Sequence, residues 1–544
     1  MLGGMQDWPL RVGRLVDHAA REHGTRAIVS RWADGRETET TWIEVRDDAA
    51  RLAATLRRLG VQPGDRVATL AMNHAHHLAA WYGIPGAAAV LHTVNPRLFD
   101  DQLEFIVNHA EDRVMLFDAV FAPLVERMKP RWPSVEHYVC FDSDGPAPAF
   151  ADWIGDDRAD WAEGDEREAC MLSYTSGTTG NPKGVLYSHR STVLHALSML
   201  QRQVFGLESR SVMLPVVPMF HAACWGAPWA AASVGAKLVF SAVAEPAVLC
   251  DLLHRHAVTA VAGVPTVWLG LTQYVDATAD GAFPPALRDV LCGGSALPRT
   301  LVERFMAAGL RVSHAWGMTE TSPIGTSGGE PWNWDTLDFQ AQVSLKAMQG
   351  RPPFGVEMRC VDLGNATRVL PRDGKTAGAL QVRGPWVIQR YFKAEADAVD
   401  GDGWFDTGDV AILHPEGTLQ ITDRTKDVIK SGGEWISSVD LENIAVGHPA
   451  VAEAAAIGIP HPRWDERPLL VVVLRPGMTA TADDLRDYLS SRVAKWWLPD
   501  AVVFVESLPH TGTGKISKKD LRAQFHGFSW DQAPSSAAIN GREP

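Results

Sequence analysis

The densest chemical signal in the chain is the run Tyr174-Thr175-Ser176-Gly177-Thr178-Thr179-Gly180-Asn181-Pro182-Lys183-Gly184. Three glycines, four aliphatic hydroxyls and one lysine fall within eleven positions. Glycine lets backbone N–H groups turn toward an anion, hydroxyls donate to it, and lysine adds charge. The run is not a Walker A loop, because Gly184 rather than Ser or Thr follows Lys183. Gly/Ser/Thr clusters are ordinarily flexible linkers. Here an apolar strand, Cys170 to Tyr174, precedes the cluster and a lysine sits inside it, which favours an anion-binding loop.

The elements that must position this loop follow from periodicity. From about Ala169 short apolar strands alternate with helices. The strands are Lys237 to Ser241, Val258 to Gly263, Leu287 to Cys292 and Val312 to Ala315. The helices are Pro246 to His256, Pro265 to Val275 and Pro298 to Ala308. Such alternation predicts a mostly parallel sheet with helices on its faces, and ligands at the carboxyl ends of its strands. The first 165 residues mix helix patterns, such as Asp47 to Leu59, with short strands, such as Arg66 to Met72. After Asp409 the texture changes. Thr418 to Thr422 reads as a strand and Asp423-Arg424-Thr425-Lys426-Asp427 as a charged connector. The rest, with strands at Leu469 to Leu474 and Val502 to Val505 and a capping box at Thr481–Asp484, reads as a small α+β unit.

Composition narrows the class. With 544 residues the chain has room for about three or four domain-sized units. Lys plus Arg number 51 against 65 Asp plus Glu, a net charge of −14, which argues against a nucleic-acid partner. An apolar fraction of 46% excludes wholesale disorder. The six cysteines show no C-x-x-C spacing, so no zinc knuckle or redox pair is signalled, and their sparseness fits a reducing cytoplasm. No run of 18 apolar residues predicts a membrane span, and no secretory signal is read at the start.

Five further motifs then appear in order with the loop. They are Trp316-Gly317-Met318-Thr319-Glu320-Thr321, Trp404-Phe405-Asp406-Thr407-Gly408-Asp409, the connector Asp423–Asp427, Lys430-Ser431-Gly432-Gly433-Glu434-Trp435 and Pro509-His510-Thr511-Gly512-Thr513-Gly514-Lys515. Together they resemble the adenylate-forming superfamily, in its acyl-CoA synthetase branch, over roughly Trp8 to Phe528. The resemblance implies a large N-terminal α/β domain over 1–424, a hinge at 425–427 and a small mobile α+β domain over 428–544. It implies two half-reactions. A carboxylate attacks the α-phosphate of ATP, and a thiol, that of CoA, then displaces AMP. The first half sets an anion against a polyanion, so charge compensation is its main need.

Residue roles follow from the resemblance. Thr175, Ser176, Gly177, Thr178, Thr179 and Lys183 would hold phosphates, and Thr175 and Glu320 a magnesium ion, as hard oxygen donors. Gly293, Gly294, His314, Ala315, Trp316, Gly317 and Thr319 would line the adenine side. Tyrosine is usual where Trp316 stands, so a hydroxyl is lost there. Asp409 would accept the ribose hydroxyls, Arg424 and Lys430 would lie near the nucleotide, and Lys515 would be the catalytic lysine of adenylation. Lys426 would be the pivot. Gly432, Gly433, Glu434 and Trp435 would border the CoA path.

The stretch Pro218-Met219-Phe220-His221-Ala222-Ala223-Cys224-Trp225 bears on the acid. Amino-acid-activating relatives carry an aspartate where His221 stands. An unpaired ammonium in an apolar pocket is costly, which argues against an α-amino acid as the substrate. His221, Trp225, Val264, Gly294, Ser295, Met318 and Pro323 would form the acyl pocket, and His221, Glu320 and Lys515 the catalytic set. No charge there pairs a second carboxylate. The expectation is an acid–CoA ligase for a medium- to long-chain fatty acid. The alternatives are a ligase for 3-methylmercaptopropionate, an enzyme passing the acyl group to an amine, a nucleotide sensor and luciferase-type oxidation. A cytoplasmic location and, by resemblance, a homodimer are expected.

Overall fold

The computed structural model describes residues 3–175, 181–278, 281–431, 434–510 and 516–530. The chain divides into two compact units. One comprises residues up to Gly294, with Glu303–Glu357 and Val382–Phe405; the other comprises Ser295–Val302, Met358–Gln381 and the residues from Asp406 on.

The first unit holds two sheets. The eight-stranded sheet runs Ile324–Ser327, Arg311–Gly317, Asp289–Cys292, Ala260–Gly263, Val212–Pro215, Lys237–Ser241, Ala27–Arg31 and Glu37–Thr41. Its neighbours are parallel except at the two edges. The six-stranded sheet runs His137–Cys140, Asp112–Phe117, Arg66–Leu70, Val90–Thr93, Ala169–Tyr174 and Gly184–Ser188, and only its last pair is antiparallel. The mixed α/β fold is thus as expected, with the early part of the chain supplying most of a second sheet. Trp42–Arg58 begins five residues before the expected Asp47, because Thr41 and Glu44 form a reciprocal capping box. Five of the twenty tryptophans, Trp42, Trp81, Trp132, Trp229 and Trp268, are fully buried. All six cysteines are buried and free.

Asn73 fixes the chain between the sheet and the expected acyl wall. Its Nδ2 donates to the carbonyls of Pro215 (3.0 Å) and Val217 (2.9 Å), and its Oδ1 accepts from Met219 N–H (2.7 Å). One buried amide thereby satisfies three backbone groups where the strand Val212–Pro215 leaves the sheet, while Val216 N–H still donates to the Ala262 carbonyl (2.8 Å).

The second unit carries a five-stranded sheet, in the order Asn365–Val369, Glu357–Asp362, Ala377–Arg383, Phe405–Leu413 and Leu419–Arg424. It also holds a smaller sheet in which Asp465–Leu474 pairs antiparallel with Val451–His461 and parallel with Ala501–Phe504. The expected capping box at Thr481 is present. The strand expected at Thr418 to Thr422 runs Leu419–Arg424 and takes in the first two residues of the charged connector. Asp423 is buried, because its carboxylate accepts from Ser438 N–H (2.6 Å) and Ser438 Oγ (2.7 Å). Among the described residues no helix is long and apolar enough to cross a membrane.

Asn73→Leu keeps the side-chain volume but removes the amide partner of the Pro215 carbonyl and of Met219 N–H, each worth about 1–3 kcal/mol when unsatisfied, and leaves the Val217 carbonyl to the Cys224 thiol. Thermal denaturation followed by circular dichroism should show the melting midpoint lowered by several degrees. An unchanged midpoint would remove this role.

Candidate active site

Four neighbouring parallel strands, Arg311–Gly317, Asp289–Cys292, Ala260–Gly263 and Val212–Pro215, end side by side. The residues after them are Met318–Pro323, Gly293-Gly294, Val264 and the loop to Trp225. Glycine is needed at the second of these. A Cβ on Gly293 would stand 2.9 Å from the Ala315 carbonyl oxygen and 3.3 Å from Trp225 Cη2. A Cβ on Gly294, whose φ is +83°, would stand 3.2 Å from Val264 Cγ1 and 3.8 Å from Trp225 Cζ2. The indole of Trp225 therefore packs over Gly293 and Gly294, and brings Val264 and Ala315 into the same wall.

Trp225 reaches that place through an unusual turn. Ala222, Ala223, Cys224 and Trp225 all have φ between +42° and +53°. A left-handed residue other than glycine costs about 1–2 kcal/mol, so four in succession need support. Cys224 Sγ donates to the Val217 carbonyl at 3.1 Å. Gly226 follows at φ +74°, and a Cβ there would meet His195 Cε1 at 2.4 Å. His195 Nε2 in turn accepts from Ile324 N–H at 3.2 Å. Burial pushes the His195 pKa down to about 3, so the ring stays neutral and keeps its acceptor.

The glycine-rich run connects the antiparallel pair Ala169–Tyr174 and Gly184–Ser188. At its neck Thr175 N–H donates to the Lys183 carbonyl (2.9 Å), and Lys183 N–H to Thr175 Oγ1 (3.4 Å). Ser176, Gly177, Thr178 and Thr179 lie outside the described residues. Glu320 is buried, and its Oε1 accepts from the Tyr391 hydroxyl at 2.8 Å. Lys183 Nζ lies over the Tyr391 ring, 4.8 Å from its centroid. Lys183 and Glu320 are thus linked through one residue that sequence reasoning missed. Tyr187 was missed too; its hydroxyl donates to the Thr319 carbonyl at 2.7 Å and ties the two sheets together.

The remaining positions of this unit serve as follows. Gly317 admits the Pro323 carbonyl, and Met318 N–H donates to that oxygen at 3.1 Å. The Trp316 ring packs against Gly325, where any Cβ would overlap it. His314 is buried and donates from Nδ1 to the Ala347 carbonyl (2.9 Å). His221 is partly buried, at the start of the left-handed turn.

In the second unit Asp409 and Arg424 are cross-strand partners, with Arg424 Nε 2.7 Å from Asp409 Oδ1. Asp409 is buried while Arg424 is nearly half exposed. Thr407 Oγ1 accepts from Asp409 N–H (3.1 Å) and donates to the Leu380 carbonyl (2.9 Å). Lys430 opposes Trp435 and lies 5.0 Å from its ring centroid. Lys426 and Ser295 are exposed. Lys515, Gly432 and Gly433, and the side chain of Glu434, lie outside the described residues.

Among the described residues no group of three or more His, Cys, Asp or Glu could form a metal cage. Thr175 and Glu320 offer a hydroxyl and a carboxylate, hard oxygen donors of the kind magnesium takes. Magnesium is commonly held by one or two carboxylates with water and substrate phosphates rather than by a full protein cage. The donor set fits an ion of that kind.

Residues 15–392 match the AMP-binding enzyme family, and residues 440–515 the AMP-binding enzyme C-terminal domain. A 3-methylmercaptopropionyl-CoA ligase of Ruegeria pomeroyi is 48% identical over 537 residues, covering 96% of this chain and 99% of that protein. A medium-chain-fatty-acid–CoA ligase of Ectopseudomonas oleovorans is 45% identical, covering 96% and 98%. The crystal structure of the anthranilate CoA ligase AuaEII in complex with anthranoyl-AMP superposes with a TM-score of 0.83, covering 96% of this chain and 99% of that one. At 24% identity it shows the fold alone. The chain belongs to the AMP-binding enzyme family, in its acid–CoA ligase branch. Enzymes of this branch use ATP, magnesium and CoA, as the motifs led one to expect.

Gly293→Val would drive a branched side chain into the Ala315 carbonyl and the Trp225 ring. Overpacking of this kind costs about 1–3 kcal/mol, so kcat/KM for the acid should fall about tenfold or more. Steady-state kinetics within twofold of the parent would refute the tight approach.

Proposed function

We propose that this enzyme activates a monocarboxylic acid with an apolar tail of medium to long chain, first as its adenylate and then as its CoA thioester. The observation that carries this reading is the apolar wall of Trp225, Val264, Gly293 and Gly294, together with a histidine, His221, rather than an aspartate after Phe220. A second reading, 3-methylmercaptopropionate as the acid, is favoured by the 48% identity to a ligase of that name. Its short thioether tail is compatible with the same wall.

In the proposed mechanism the acid lies with its carboxylate toward His221 and its tail along Trp225. A carboxylate oxygen attacks the α-phosphorus and the bond to pyrophosphate breaks. Lys183 and the loop donors counter the phosphate charge, and Lys515 counters the charge that builds at the reacting centre. Thr175 and Glu320 would hold magnesium, which supplies further charge neutralisation at the phosphates when bound. Asp409, oriented by Thr407 and Arg424, accepts the ribose hydroxyls. We assign residues 1–424 to the nucleotide and acyl functions, place the hinge at 425–427 around Lys426, and assign 428–544 to the mobile domain. Its rotation after adenylation would withdraw Lys515 and bring Gly432, Gly433 and Trp435 to the thiol path. The thiolate then attacks the acyl carbon and AMP leaves. A cytoplasmic location and a homodimer accord with the same reading.

The test is thioester formation across C3 to C18 acids and 3-methylmercaptopropionate. The best kcat/KM should fall on a medium or long acid. A best substrate of C3 to C4 size would select the thioether reading, and preference for an amino acid would refute both. Trp225→Ala should shift the preferred chain length, and an unchanged profile would return Trp225 to packing alone. Lys515→Ala should reduce acid-dependent pyrophosphate exchange by a hundredfold or so, yet leave CoA transfer from supplied acyl-adenylate. Equal loss of both halves would contradict its role.

A further inference from the structure

We propose that Tyr391 is a positioning residue of the adenylation site, holding the Lys183 ammonium and the Glu320 carboxylate at a fixed spacing. The inference rests on the reading above, in which both groups face the triphosphate.

The segment Trp386–Phe392 bridges the two motifs. On one side Trp386 Nε1 donates to the Ile324 carbonyl (2.9 Å), Ser322 Oγ to the Trp386 carbonyl (2.8 Å) and Ile388 N–H to the Glu320 carbonyl (2.8 Å). On the other, Phe392 N–H donates to the Gly184 carbonyl (2.8 Å), immediately after Lys183. The backbone around Tyr391 is therefore fastened to both motifs. Its side chain then makes two contacts of different kinds. The hydroxyl donates to Glu320 Oε1, and the ring face receives Lys183 Nζ.

Each contact solves a physical problem. A lysine side chain has many rotamers, and a cation over an aromatic face loses some of that freedom before any anion arrives. A buried carboxylate needs donors, and a phenol aimed at one oxygen sets the rotation of the group. No local pattern in the sequence marks Tyr391, which lies 71 residues from Glu320 and more than 200 from Lys183.

The two contacts separate by substitution. Tyr391→Phe keeps the ring and removes the donor; Tyr391→Leu removes both. Affinity for a non-hydrolysable ATP analogue is measured by calorimetry on the full chain, with magnesium and with EDTA, beside melting temperature and pyrophosphate exchange. Tyr391→Phe should bind like wild type in EDTA but lose about tenfold of the magnesium-dependent gain. Tyr391→Leu should also lose about threefold in EDTA. Both should melt close to wild type. An unchanged magnesium gain in Tyr391→Phe overturns the proposal, as does a uniform loss in both media with a lowered melting point. A wild-type protein that binds no nucleotide in either medium overturns the phosphate reading itself.

Discussion

Two anions have to meet for a carboxylate to react with a triphosphate. Like charges 4 Å apart repel by about 4 kcal/mol at an effective dielectric of 20, and a triphosphate presents several. Everything proposed for the site answers that repulsion, either by adding cations and N–H donors or by fixing them before the reactants arrive. A donor already held in place costs no reorganisation at the moment of reaction. This is why the backbone support around Lys183 and Glu320 carries as much meaning as the two side chains themselves.

The sheet provides the places. Four adjacent parallel strands end together, and the segments after them carry the motif glutamate, the glycine pair, Val264 and the turn to Trp225. The edge hairpin of the second sheet carries Thr175 and Lys183. Tyr187 and the Trp386–Phe392 segment then stitch one set to the other. The costliest local feature, four left-handed residues in a row, lies at the expected acyl wall and nowhere else among the described residues. Strain there is held by Cys224, His195 and, through Asn73, by the preceding loop. Backbone outliers of this kind persist where surrounding contacts over-determine them, and they gather at functional sites.

Much of this was legible in the sequence where the signal is local. Strand Lys237–Ser241 and helix Pro265–Thr278 follow from periodicity and a leading proline, and the glycine-rich run announces an anion loop by composition. The second sheet was harder to read. Val90–Thr93 is four residues long and wholly buried, so it lacks the alternation that marks a strand. The burial of Asp423 is not marked in the charged connector, because its partner Ser438 lies 15 positions further along the chain. Tyr391, Tyr187 and Asn73 are single residues whose partners lie 71 to 208 positions away, and only the folded chain brings them together.

The central claim is that the acid's own oxygen attacks the α-phosphorus of ATP. Turnover with acid labelled with 18O in its carboxylate, followed by mass spectrometry of the nucleotide and pyrophosphate, tests it most directly. One labelled oxygen per turnover should appear in the phosphate of AMP and none in pyrophosphate. Label in inorganic phosphate with ADP as product, or AMP free of label, would contradict the account.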